Sequence, residues 1–383
     1  MKYFLPHFES QLGQMAWRLS SLVEAETPTS EKAALDRYGS WLASQAEEIG
    51  AQVQIHPQSI VGDLVECRWN PDLPEKPILI CCHMDTVHPL GTLARRPTRI
   101  EDDVLFGVGA YDMKASIAII QTVMEELHAT GQMPNRPITL LYTSDEEIGS
   151  PYSRPLIEEL AQESALVLVL EFCNYLEAIV TARKGVGIFQ ITALGREAHS
   201  GTAPEDGINA VVEIAHQIDR VLAISAPDRG TLVTPAVIRG GTQHNVIPGE
   251  CDLVINVRVQ YRSEARRVLD ELNALVDAPA TLNGAEMFLT GEYMRPPMER
   301  DTIMLETFEK LTRIADAPFG EDFRGGGSDG SFSAALGIPT LDGLGASGEG
   351  AHAPNEQVYL PSMPRRAALI ASILCNWEHV LRD

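Results

Sequence analysis

Three apolar segments of this chain each run directly into residues that can bind a metal ion or move a proton. Ile78-Leu79-Ile80-Cys81-Cys82 leads into His83-Met84-Asp85, Ile138–Thr143 into Ser144-Asp145-Glu146-Glu147, and Ala165–Leu170 into Glu171. Asp112 and His352 add a carboxylate and an imidazole from other loops. Imidazole and carboxylate without thiolate suit zinc, cobalt or manganese in a hydrolytic site rather than a structural zinc. Five such ligands exceed the needs of one tetrahedral ion. They suit two ions bridged by one carboxylate, with positions left for water and a carbonyl oxygen. Asp85 lies two residues past His83 on the same strand face, placed to orient the imidazole rather than to bind metal. Glu146 and Glu147 point opposite ways on an extended backbone, so one can bind metal while its neighbour addresses the water.

The elements that would position these residues follow from the apolar pattern. Short apolar runs bounded by turn residues read as buried parallel strands, and ligands gather at the carboxyl ends of such strands in open α/β sheets. From Ala51 to Glu171, strand-like and helix-like segments alternate, which predicts an α/β domain with a mostly parallel sheet flanked by helices. Thr27-Pro28-Thr29-Ser30 stops one helix, and Glu31–Ile49 forms the next, ending at Gly50. Ile117, Ile120, Met124 and Leu127 recur at helical spacing and are read as core. After Arg183 the order becomes Gly185–Leu194 strand, Ile208–Leu222 helix, Leu232–Arg239 and Cys251–Gln260 strands, Ser263–Val276 helix and Ala285–Thr290 strand. That βαββαβ order is the ferredoxin-like unit. The predicted division is residues 1–183 and 293–383 as one discontinuous catalytic domain, with 184–292 inserted as an α+β lid and dimerisation domain. Helix Pro361–Leu381 closes the chain.

A chain of 383 residues with 44% hydrophobic content is long enough for two cores. Its net charge of −23 excludes a nucleic-acid partner, which needs a basic face. The same charge means that an anionic substrate must be met by local arginines. No apolar run approaches the roughly 20 residues of a membrane helix. Met1–His7 breaks at Pro6 before a signal-peptide core could form. The six cysteines, at 67, 81, 82, 173, 251 and 375, form no CxxC pair and read as core residues of a cytoplasmic protein.

Taken in order, His83-Met84-Asp85-Thr86-Val87, Gly109-Ala110-Tyr111-Asp112-Met113-Lys114, Asp145-Glu146-Glu147, Gly149-Ser150, Glu171 and His352 resemble the di-zinc exopeptidase family over nearly the whole chain. That family includes glutamate carboxypeptidase (carboxypeptidase G), acetylornithine deacetylase and succinyl-diaminopimelate desuccinylase. The resemblance implies that Asp112 bridges two divalent ions, zinc first among them. His83 and Glu171 would complete one site, Glu147 and His352 the other, and Glu146 would be the general base. It further implies that His199, in Glu197-Ala198-His199-Ser200-Gly201, reaches the developing oxyanion, often from a partner subunit, so that a homodimer is expected. Asn245 and Arg258 resemble holders of the substrate carboxylate, as does the Gly327-Ser328 loop; Arg295 is a weaker candidate for a second carboxylate. Ala115-Ser116 departs from the Gly-Gly of many relatives.

The implied substrate is a small peptide or N-acyl amino acid, cleaved at an amide next to a free carboxylate. Glu321–Ser331 and Glu171-Phe172 look closest to the glutamate carboxypeptidase branch. An N-acyl amino acid deacylase is the nearest rival, and a non-catalytic binding protein, which would have lost ligands, a remote one. Two other motifs lead nowhere. Gly107-Val108-Gly109 lacks the third glycine of a dinucleotide loop. Gly326-Gly327-Ser328-Asp329-Gly330, with Asp342 and His352 downstream, formally matches a serine-hydrolase elbow, but no apolar strand precedes it.

Overall fold

The computed structural model describes residues 1–377. Along the chain, β1 (Gln52–His56), β2 (Leu64–Trp69), β3 (Ile78–His83), β4 (Ile138–Thr143) and β5 (Leu166–Val169) come first. β6 (Gly185–Leu194), β7 (Leu232–Gly240), β8 (Glu250–Val259) and β9 (Glu286–Arg295) follow, then β10 (Thr340–Leu341). The main helices are α1 (Lys32–Glu48), α2 (Ala115–Ala129), α3 (Arg154–Glu163), α4 (Ala210–Ala223), α5 (Arg262–Asp277), α6 (Thr302–Ala315) and α7 (Ser362–Asn376). The last part of the expected closing helix, residues 378–381, lies outside the described residues.

The chain divides into two units. The first comprises Met1–Ala182, Arg300–Phe323 and the chain from Ser328 onward; the second comprises Arg183–Glu299 and Arg324–Gly327. The return falls at Arg300 rather than at residue 293, because β9 runs on to Arg295 and Met298 then pairs with Arg183.

The sheet of the first unit has the order β1-β2-β4-β3-β5-β10. It is mixed: β4, β3, β5 and β10 are mutually parallel, whereas β2 is antiparallel to β4 and β1 to β2. Every residue of β3 and β4 is buried, as expected of strands covered on both faces. The two-residue period divides them. Ile78, Ile80 and Cys82 join the larger core with α1, α2 and α7, while Leu79 and Cys81 pack with Ile157, Leu160 and Phe332 on the other side. A polar residue at the end of such a strand is therefore delivered at a fixed height above the sheet.

A second, smaller antiparallel sheet joins Arg99–Glu101, Val104–Phe106, Gln357–Tyr359 and Gly348–Glu349. Sequence periodicity does not reveal it, since its strands are two or three residues long. It sets Phe106 opposite Gln357 and so brings the segment before Asp112 beside the segment after His352.

In the second unit, β7-β8-β6-β9 form an antiparallel sheet. This strand order, with α4 and α5 as the two crossovers, is that of the split βαβ unit. Ile191, Ile214, Leu253, Ile255, Val268 and Leu272 fill its core. No helix among the described residues is long and apolar enough to cross a membrane.

Arg366 is the largest fully buried side chain, and it pins the loop after β10: Nε donates to Gly345 O (3.0 Å) and Nη2 to Gly343 O (2.9 Å). Replacing Arg366 by Leu leaves these carbonyls unpaired in the interior, at a cost of roughly 3 kcal/mol. The urea midpoint of the transition in which the first unit unfolds should fall, with its m-value unchanged.

Candidate metal centre

His83 closes β3 with its ring buried. Its Nδ1 lies 3.0 Å from the backbone carbonyl of Asp85. A carbonyl only accepts, so Nδ1 carries the proton and Nε2 presents a lone pair. That lone pair faces Asp112 Oδ1 at 2.9 Å and Glu171 Oε1 at 3.7 Å. A lone pair aimed at two carboxylates is repulsive unless a proton or a metal cation stands between them.

Asp112 is delivered by an irregular turn. Gly109 precedes it at φ +67°, where a Cβ would meet Thr86 Cγ2 at 2.5 Å. Asp112 itself leaves helical geometry (φ −118°, ψ 92°) before α2 begins. The Asp112 carboxylate then spans two imidazoles: Oδ1 toward His83, and Oδ2 at 3.0 Å from His352 Nε2. His352 Nε2 also lies 3.0 Å from Glu147 Oε2. Glu147 and Asp112 keep only 5% and 8% of their side chains exposed against 52% for His352, so the cluster opens to solvent on the His352 side.

Ligand-type atoms fall into two groups within 4.8 Å, one of His83, Asp112 and Glu147 and one of His83, Glu146 and Glu171. Glu147 Oε1 is buried without a hydrogen-bond partner, an atom that needs an explanation in a folded protein. The donor set and this orphaned oxygen fit divalent cations.

The protonation pattern agrees. Burial alone would push His83 down, but its bonds to Asp112 and Asp85 and the charges of Asp112 and Glu171 raise it well above the usual imidazole range. Bonds to Asp112 and Glu147 push His352 up to about 10. Burial raises Glu147 despite its bond to His352, while the two imidazoles hold Asp112 below the carboxylate range against its own burial. Protons occupy the places that cations would take.

Asp85 lies beside the imidazole and has further partners. Its carboxylate sits 3.5 Å from His83 Nδ1, farther than its own carbonyl. It also accepts from Thr29 Oγ1 (2.8 Å) and from the backbone N–H groups of Glu146 (3.3 Å) and Glu147 (3.2 Å). Asp85 therefore positions the glutamate pair. That pair lies on one 3₁₀ turn, Glu146–Ile148, and not on extended backbone. Successive side chains on such a turn diverge by about 120°, so the two carboxylates still take different directions.

The remaining expected residues lie elsewhere. His199 and Asn245 are brought together on a ribbon in which Ala198–His199 pairs with Val246–Ile247, and Ser200 N–H donates to Asn245 O at 3.0 Å. His199 Nδ1 accepts from Gly201 N (3.1 Å) and Thr202 N (3.2 Å), which leaves Nε2 as the proton-bearing nitrogen. Arg258 lies on β8, with Nε donating to Asn256 Oδ1 at 3.2 Å. Arg295 is buried, and its stem covers Gly327, where a Cβ would meet Arg295 Cδ at 2.4 Å. Ser328 is buried, and its hydroxyl donates to Asp342 Oδ2 at 2.5 Å and accepts from Gly330 N. With serine bonded straight to aspartate and no imidazole between, this loop is not a nucleophile elbow.

Arg183 and Glu356 are among the residues that sequence reasoning missed. Arg183 holds the carbonyls of Gly326 and Gly327, at 3.4 Å each. Glu356 accepts from the backbone N–H of Asp112. Its place four residues after His352 was the one available signal.

Residues 79–376 match Peptidase family M20/M25/M40. The chain belongs to that family. It is 28% identical over 371 residues to "Carboxypeptidase G2" of Pseudomonas sp. (strain RS-16), covering 94% of this chain and 88% of that protein. It is 27% identical over 333 residues to "Succinyl-diaminopimelate desuccinylase" of Xanthomonas euvesicatoria pv. vesicatoria (strain 85-10), covering 81% and 86%. The solved aminopeptidase PepT from Bacillus cereus shares the fold, with a TM-score of 0.74 at 20% identity over 95% of this chain and 98% of that one. This M20 chain is a metal-dependent hydrolase of the carboxypeptidase or deacylase type.

Because protonated imidazoles cannot bind metal, raising the pH removes a competitor. Metal affinity should rise from pH 6 to pH 9 and binding should release protons. Calorimetry in buffers of different ionisation enthalpy should register at least one proton released at pH 7. An affinity independent of pH would contradict the raised imidazole values.

Proposed function

We propose that this M20 hydrolase is a glutamate carboxypeptidase-like exopeptidase, releasing a C-terminal residue by cleaving the amide next to its free carboxylate. The observation that carries the reading is the convergence on Asp112 of His83 and His352, each within 3.0 Å, with Glu147 and Glu171 beside them. His83 and Glu171 would hold one divalent cation, Glu147 and His352 the other, and Asp112 would bridge the pair. When bound, the cations supply Lewis acidity for the scissile carbonyl and bring the pKa of a water toward neutrality.

The chain's own groups do the rest. Glu146 takes the proton from the attacking water and returns it to the leaving amine. Asp85 fixes the turn that aims Glu146 by holding two of its backbone N–H groups. His199, with its proton on Nε2, suits a donor to the oxyanion, acting in its own subunit or in a partner's. Arg258, Asn245, Arg295 and the backbone of Gly327 are assigned to the substrate carboxylate, for which a planar guanidinium is well matched. The Ser328 hydroxyl, already bonded to Asp342, is better assigned to holding that loop in shape. The finer parts of this reading are zinc as the native metal, with cobalt or manganese also accepted, a homodimer through the second unit acting as a lid, and a cytoplasmic location.

A deacylase of N-acyl amino acids is the second reading. It is favoured by the desuccinylase relatives, which match a similar span, and it uses the same proton transfers. A binding protein without activity is disfavoured by the complete ligand set.

Replacing Glu146 by Gln should lower kcat by about 100- to 10,000-fold while two equivalents of metal stay bound; full turnover would refute the base. A chelator should abolish activity, and a serine-directed fluorophosphonate should leave it unchanged. On a panel of dipeptides and acyl amino acids, acyl-glutamates should turn over faster than N-acetylornithine or N-succinyl-diaminopimelate. The reverse order would establish the deacylase.

A further inference from the structure

Glu356 is 3% exposed and takes four hydrogen bonds on one carboxylate. Oε1 accepts from Tyr111 N (2.9 Å) and Asp112 N (3.1 Å), and Oε2 from Gly109 N (2.8 Å) and His88 Nε2 (3.1 Å). His88 is itself buried, and its Nδ1 meets Arg96 Nη2 at 3.2 Å. A guanidinium can only donate, so Nδ1 is the acceptor and the ring is the neutral tautomer with its proton on Nε2, directed at Glu356. Arg96 Nη1 donates to the carbonyl of Ala353 at 3.1 Å. Ala353 follows His352, which stands at φ +63°, a left-handed conformation that a non-glycine residue holds only when its surroundings impose it.

These bonds close a circuit. From His352 it passes through the Asp112 side chain to the Asp112 backbone, to Glu356, His88 and Arg96, and back to Ala353 beside His352. We infer that His88, held between Arg96 and Glu356, is a positioning residue that fixes the Asp112 carboxylate relative to the His352 imidazole, and hence the spacing of the two cations, without touching either. The inference rests on the dimetal reading of the site. It goes further in assigning a role to three residues that bind neither metal nor substrate. Mechanically, the ring tethers the loop at 352–356 at both ends to the loop at 109–112. Loss of the His88 link leaves His352 free to drift from Asp112.

The test uses His88→Leu, which removes both bonds, and His88→Gln, whose amide can still donate to Glu356 and accept from Arg96. Zinc affinity is read by competition with a chromophoric chelator, geometry by the visible absorption of the cobalt-loaded enzyme, and folding by thermal unfolding of the metal-free protein. In H88L, one of the two equivalents should weaken by about 10- to 100-fold, as is usual when the partner behind a ligand is lost. The cobalt bands should shift, and kcat should fall with KM nearly unchanged. H88Q should recover most of each effect, and the metal-free proteins should melt alike. Wild-type affinity and cobalt absorption in H88L would overturn the inference, as would H88Q being as impaired as H88L, or equal loss of both equivalents together with early melting. A wild-type protein that takes up two cations yet hydrolyses no acyl amino acid would overturn the proposed activity and leave this inference intact.

Discussion

A carboxylate taken out of water is tolerated only when its lone pairs are matched, and Asp112 shows what that demands. Its two oxygens face imidazoles from segments 269 residues apart in the chain, His83 at a strand end and His352 in a loop. Glu147 and Glu171 crowd the same space, so the cluster carries more negative than positive charge. Such an arrangement persists only with protons or cations inside it, and much of the surrounding chain holds it in register. The strand β3 sets the height of His83, the small sheet through Phe106 and Gln357 sets the approach of His352, and Arg366 anchors the loop beyond β10.

The acids near this centre fall into two kinds, told apart by what they accept. Asp85 takes one hydroxyl and two backbone N–H groups; Glu356 takes three backbone N–H groups and an imidazole. Asp329 accepts from Ser150 and Thr143, and Asp342 from Ser328 and Gly343. A carboxylate whose lone pairs are directed at fixed donors has few left for a metal ion, and these residues shape loops. Asp112 and Glu147 meet imidazole nitrogens instead, and one Glu147 oxygen meets no donor at all.

That distinction explains what could be read from the chain. His83, Glu146, Glu147 and Glu171 were legible because a buried strand ending in a polar residue has little other use for it, and β3, β4 and β5 are buried throughout. The second unit was legible because its strands alternate cleanly, as β6 and β8 do in their burial. Asp85 was read as orienting His83; its further bonds to the N–H groups of Glu146 and Glu147 were not legible, because β3 ends at His83 and the chain turns before Asp85. The bond from the Ser328 hydroxyl to Asp342 was not legible, because a motif does not show the partners of its side chains. Antiparallel β1 and β2 were invisible because a strand's direction leaves no mark in its own residues. Glu356 and His88 were missed for a related reason. Their partners are backbone groups and residues far away in the chain, and local pattern says nothing about either.

The two units also divide the chemistry. His83, Asp112, Glu146, Glu147, Glu171 and His352 all belong to the first, while Arg183, Arg258, Arg295, His199 and Asn245 belong to the second. For a chain of net charge −23, an anionic substrate is repelled at long range. Under the proposed function, Arg258 and Arg295 offset this repulsion and are the natural place for substrate preference to be decided. Changing them leaves untouched the ring of bonds that holds Asp112 and His352. Relatives of this chain carry names for different substrates, carboxypeptidase G2 and succinyl-diaminopimelate desuccinylase among them, as expected when one fold hosts several activities. The parts of the metal site are constrained by one another, whereas the arginines of the second unit are constrained by their own neighbours: Arg295 packs over Gly327, and Arg183 holds the carbonyls of Gly326 and Gly327.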